Sequence, residues 1–73
     1  MYEWQLHGDN EWVYGIKTRG LVRRPIAEVY FDEDLEGPLG GWVWMVHSKD
    51  SIKRGLALSL DDAILECESV MGF

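Results

Sequence analysis

The chain has 73 residues and a formal net charge of −6 at pH 7, with a pI near 4.6. That length allows one domain, residues 1–73, burying roughly 60% of the surface its unfolded form exposes. The charge disfavours phosphate backbones and anionic membranes as partners, and no stretch approaches the ~20 apolar residues of a membrane span.

Tyr2 to Leu6 alternates loosely and suits a short strand, and His7-Gly8-Asp9-Asn10 reads as a turn. Glu11 to Lys17 is rich in aromatic and β-branched residues and predicts a strand. Thr18-Arg19-Gly20 turns the chain, and Leu21 to Arg24 fits no single state. Pro25 cannot donate to a ladder and belongs at a strand start or edge. Ile26 to Phe31 predicts the next strand, with Ala27, Val29 and Phe31 on one face and Ile26, Glu28 and Tyr30 on the other. Asp32 to Gly41 is a loop. Trp42 to His47 is the clearest strand, with Trp42, Trp44 and Val46 on one face and Val43, Met45 and His47 on the other. Ser48 to Arg54 reads as a polar connection, and Gly55 to Leu58 as the lead into a helix.

The helix has the fullest signature. Ser59 is suited to N-cap it, and Asp61 and Asp62 complement its dipole. Ala63, Ile64, Cys67, Val70 and Met71 form one apolar stripe, which Leu60 extends, and Gly72 supplies a stop. The expected fold is α+β: a small antiparallel meander of three or four strands, with this one C-terminal amphipathic helix packed on one face. Four Trp, three Tyr and two Phe suggest aromatic packing as the main source of stability.

One helix covers one face, yet the strand at 42–47 is apolar on both. A sheet with a solvated back alternates apolar with polar. So either Tyr2–Leu6 folds over the back, filling it with Trp4 and Leu6, or a partner covers it. In the second case Val43 and Met45 are candidate interface residues, and a homodimer is one occupant.

No catalytic or metal-binding pattern emerges. Cys67 is the only cysteine, which rules out an internal disulfide, and with His7 and His47 it falls short of a four-ligand zinc site. Asp32-Glu33-Asp34-Leu35-Glu36-Gly37 opens like a calcium loop, but Val43 stands where a bidentate Glu is required. Gly37-Pro38-Leu39-Gly40-Gly41 lacks the strand–loop–helix context of a phosphate cradle, so no cofactor is expected. His47, Ser48 and Asp50 are triad residue types, but residues adjacent in sequence rarely meet the geometry. Cys67, flanked by Glu66 and Glu68 on the apolar stripe, reads as a small core residue rather than a nucleophile. An enzyme is not expected. A lone thiol and an N-terminus without signal-peptide features suggest the cytoplasm.

What remains is binding. Asp32, Glu33, Asp34 and Glu36, supported by Glu28, are the candidate partner-binding residues, and a protein with a basic surface is the partner they would suit. Two basic groups exist, Lys17, Arg19, Arg23 and Arg24, and Lys49, Lys53 and Arg54. The strand–strand–strand–helix order and the helix entry Gly55-Leu56-Ala57-Leu58-Ser59-Leu60-Asp61-Asp62-Ala63 resemble the arm-type DNA-binding domains of phage tyrosine integrases. That resemblance implies a sheet that enters the major groove, an expectation the acid excess opposes. In length, in aromatic strands such as Gly41-Trp42-Val43-Trp44 and in the closing helix from Ser59-Leu60-Asp61-Asp62-Ala63, the chain resembles small acidic proteins of bacteriophages and prophages. That resemblance implies inhibition of a host enzyme or a defence system, as anti-CRISPR proteins and host RNA polymerase inhibitors perform it.

Overall fold

The computed structural model describes residues 2–22, 25–35, 41–48 and 50–72. Its strands are β1 (Tyr2–His7), β2 (Glu11–Thr18), β3 (Leu21–Val22), β4 (Ala27–Phe31), β5 (Trp42–His47) and β6 (Ile52–Ala57). One helix follows, α1 (Leu60–Met71). The sheet is antiparallel, in the order β1-β2-β4-β5-β6, with β3 paired to β2 off this path. The α+β class and the helix packed on the sheet agree with the sequence, whereas the described residues form six strands rather than three or four.

The strand the sequence does not announce is β6. Ile52-Lys53-Arg54-Gly55-Leu56-Ala57 carries two charges and a glycine, a poor strand by propensity. As an edge strand it needs only one paired side, and β5 supplies it, from Trp42↔Ala57 to His47↔Ile52. The expected polar connection therefore shrinks to a tight bend, where the Ser48 N–H and Oγ both donate to the Ser51 carbonyl.

Register places Tyr2, Trp4 and Leu6 of β1 on the same face as Trp12, Tyr14, Ala27, Val29, Trp42, Trp44, Val46 and Ala57. This face carries the core. Ala27, Val29, Ala63 and Cys67 have no exposed surface. The small Ala27 and Ala63 let the helix lie close to the sheet. Tyr14 stacks with Tyr2 at 5.9 Å and meets Trp4 at 5.2 Å, while Phe31 and Trp42 pack edge to face at 5.2 Å.

The helix packs on β4, β5 and β6. Its ends follow the sequence signals. Ser59 Oγ accepts from the Asp62 N–H at 3.2 Å, and Gly72, at φ 92°, donates to the Glu68 and Ser69 carbonyls. Ile64, Val70 and Met71 of the predicted stripe are half-buried against the core.

The N-terminal strand does not fold over the back of the sheet. It pairs in plane with β2, which puts Trp4 and Leu6 on the core side. The covering of the back near β1 and β2 comes instead from the Arg19-Gly20 turn and from Leu21 and Val22 after it, in the segment whose state the sequence leaves undecided. Arg19 (φ 53°) and Gly20 (φ 81°) are both left-handed, the geometry of a two-residue hairpin, and reverse the chain into β3. Gln5, on the back of β1, clasps this hairpin. Its Nε2 donates to the Gly20 carbonyl at 2.7 Å and its Oε1 accepts from the Val22 N–H at 2.8 Å. Val13 and Val22 are each only 2% exposed as a result.

Backbone hydrogen bonding alternates along each strand. The Phe31 N–H donates to the Asn10 carbonyl, in line with the β2–β4 register, so Trp12 and Tyr14 turn their backbone groups to β4. Glu11, Val13 and Gly15 then serve β1, where their register partners are His7, Gln5 and Glu3. The backbone groups of Tyr2, Trp4 and Leu6 face the free edge. The same alternation, from Ser48 bonded to Ser51, leaves those of Ile52, Arg54 and Leu56 facing the opposite edge.

Candidate functional site

Strand direction sorts the charges. The β1–β2 turn, the exit of β4, the entry of β5, the exit of β6 and the start of α1 all lie at one end of the sheet. The Phe31 N–H bonded to Asn10 and the Asp32 N–H bonded to the Gly41 carbonyl at 2.7 Å tie these turns together. The end so formed carries Asp9, Glu11, Asp32, Glu33, Asp34, Asp61 and Asp62.

Asp32 is half-buried and shapes the loop, its Oδ1 accepting from the Asp34 N–H at 3.0 Å and opening a short 3-10 turn, Glu33–Leu35. Glu33 and Asp34 are exposed. Glu36 lies outside the described residues. Asp9, Glu11, Asp61 and Asp62 are exposed too. Sequence reasoning missed these four because they are far from residue 32 along the chain. Asp61 and Asp62 were read only as partners of the helix dipole.

Glu28, expected to support the acidic loop, lies apart from this group. It sits mid-strand on the back of the sheet, directed there by the alternation of β4, and its Oε2 lies 2.6 Å from His47 Nε2. Val43 and Met45 share that back face. Val43 is buried, with Tyr30 and Leu56 as its register neighbours, and Met45 is half-buried between Glu28 and Arg54. The second apolar face of β5 is thus largely closed by flanking side chains.

The opposite end of the sheet carries Lys17, Arg19 and Lys53 together with the exposed Asp50 of the β5–β6 turn, with Arg54 mid-strand. Lys17 is held by Glu3 at 3.0 Å. Arg23, Arg24 and Lys49 of the two basic groups lie outside the described residues. A groove of about 650 Å³ opens at this end between the sheet and the C-terminal turn of α1, lined by Tyr2, Tyr14, Val46, Lys53, Val70 and Met71 among others. His47 and Ser48 also border it, yet their hydrogen bonds diverge: His47 to Glu28, Ser48 Oγ to Ser51. Among the described residues no group of three or more His, Cys, Asp or Glu side chains could hold a metal ion, and no helix is long and apolar enough to cross a membrane.

Two groups titrate unusually. Burial raises the Tyr14 phenol above its ordinary value, reinforced by Glu68 and Tyr2. Burial pushes the Cys67 thiol up to about 11, partly offset by a backbone hydrogen bond from Met45, with Glu68 and Glu66 adding to the rise. At neutral pH this thiol is protonated, the opposite of an activated nucleophile. The linkage has a definite sign. As pH rises from the ordinary 9.0 of a thiol toward 11, the unfolded chain gives up its Cys67 proton before the folded one does. Stability is therefore fully present below pH 9 and falls as pH climbs through that window. Urea denaturation across this range should show a decline that is shallower in Cys67→Ala, with Tyr14 contributing in the same direction. An identical slope in the variant would remove Cys67 as its cause.

The chain is thus a sheet with acid gathered at one end and mixed charge at the other, where Glu3 and Asp50 accompany Lys17, Arg19 and Lys53, with the helix over half of one face. No family model, curated protein or solved structure matches it.

Proposed function

We infer that this chain is an acidic protein-binding module that inhibits a larger protein by covering one of its basic surfaces, in the manner of phage- or prophage-encoded inhibitors of host enzymes or defence systems. The observation that carries this reading is the gathering of Asp9, Glu11, Asp32, Glu33, Asp34, Asp61 and Asp62 at one end, away from Lys17, Arg19 and Lys53. Charges of one sign on one surface sum to a field that steers a basic partner into contact and fixes its orientation. A nucleic-acid-binding groove on the partner is the surface such an end would occlude, by taking the place of phosphates. The Asp32 side chain holds the Asp34 N–H, so the short turn at Glu33–Leu35 presents Glu33 and Asp34 at reduced ordering cost on docking.

The test compares the parent with a variant carrying Glu33→Gln, Asp34→Asn, Asp61→Asn and Asp62→Asn. Immobilised parent should capture a basic protein from bacterial lysate at low salt, release it as salt is raised, and compete with nucleic acid for it. The variant should bind that protein at least about tenfold more weakly, mainly through slower association. Equal binding by the variant, at equal helix content, would end this reading.

A further inference from the structure

The two free edges of the sheet are not alike. Long edge strands invite pairing, and proteins guard them with charges, prolines or bulges. The edge of β6 is guarded by Lys53 and Arg54. The edge of β1 is six residues long and has no Lys, Arg or Pro, and its one acid, Glu3, is neutralised by Lys17. Its outward-facing backbone groups belong to Tyr2, Trp4 and Leu6, whose side chains also lie on the apolar face. The helix does not cover that part of the face: Tyr2 is 52% exposed, Leu6 47% and, beside them on β2, Ile16 51%.

We propose that two copies of this chain join through β1, antiparallel and two-fold symmetric, with Trp4 opposite Trp4 of the second copy. The register follows from the backbone. Outward groups must meet outward groups, so even-numbered residues pair with even-numbered ones. Centring on Trp4 uses all three: Tyr2 against Leu6, Trp4 against Trp4, Leu6 against Tyr2. Glu3 then faces Gln5, and no like charges oppose. The two-fold axis stands perpendicular to the sheet, so the stripes Tyr2-Trp4-Leu6 of both copies merge into one apolar surface flanked by Ile16 and Trp12. The same construction at β6 would set Arg54 against Arg54, a repulsive pair. Charge favours a second copy as the occupant of the β1 edge. Antiparallel alignment lays the acidic end of one chain beside the end of the other that carries Arg19, with Lys17 already paired to Glu3, and so offsets a part of the repulsion between two chains of net charge −6. The pairing closes after two copies, leaving the guarded β6 edges outside.

Sedimentation of the parent across the micromolar range should show a shift from single to double mass that persists in high salt. Leu6→Lys and Leu6→Pro should each remain single, the latter because it removes an outward N–H that no strand pairing among the described residues uses. Leu56→Lys, at the other edge, should dimerise like the parent. A parent that stays single throughout, a salt-dissolved assembly, or dimers unaffected by both Leu6 variants would overturn the proposal. Amide exchange in the parent needs no variant to fold: the N–H groups of Trp4 and Leu6 should exchange slowly at high concentration and fast on dilution, and equally fast exchange at both would also overturn it. The variant lacking four acids at the acidic end should still dimerise, so this proposal and the inhibitor reading fail separately.

Discussion

Gly55→Ala is expected to destabilise the domain by about 2–3 kcal/mol, although alanine ordinarily improves a strand. Gly55 sits directly opposite Trp44, whose indole lies across it. A Cβ at residue 55 would fall 2.7 Å from Trp44 Cζ2 and 2.9 Å from its Nε1. These are atoms of a rigid ring packed against the core, not the end of a flexible chain, so the ring itself must move. The gain from removing glycine's freedom in the unfolded chain is about 0.4–1 kcal/mol, too small to compensate. For a domain this size, at the low end of about 5–15 kcal/mol, the loss is a large share of the total. Urea denaturation measures it directly. Trp44→Leu costs stability on its own, but Gly55→Ala should cost much less in that background, because the clashing ring is gone. Additive effects would show that the close approach is not the cause.

Val29→Ala is expected to cost about 2–3 kcal/mol, from lost apolar burial plus the cavity left behind. Val29 has no exposed surface, sits on the central strand between Trp12 and Trp44, and is among the largest fully buried side chains. Its neighbours are anchored aromatic rings on both sides, which limits collapse into the space. The same change at Ile16, half exposed on β2, should cost well under 1 kcal/mol. Equal losses at the two positions would place the core elsewhere.

Local signals were legible wherever a residue's role depends on its immediate neighbours. The Ser59 cap, the stripe through Ala63 and Cys67, the Gly72 stop and the strand at 42–47 were all readable, because a helix end or a pleat is decided within a few residues. The turn at Arg19-Gly20 was readable for the same reason. The hairpin's second job, covering the back under the clasp of Gln5, was not, since Gln5 and Val22 are seventeen positions apart. β6 was missed because its pairing with β5, rather than its own composition, holds it. Of the candidate site, the acidic run from Asp32 was visible as a loop, while the separation of Glu28 from it was not. Adjacent residues on a strand point to opposite faces, and four positions of extended backbone carry Glu28 toward His47 and away from the loop.

Residue pattern and composition dictate the class of the fold, the helix and its caps, and an excess of acid concentrated partly in one loop. Where the rest of that excess gathers depends on how the strands are ordered in the sheet. The antiparallel order returns the chain to the same end of the sheet after β1, β4 and β6, and each return adds carboxylates, while the opposite turns collect Lys17, Arg19 and Lys53 with Asp50 among them. Composition counts charges, but the polarity of this molecule comes from strand direction, and so does the bare edge at β1.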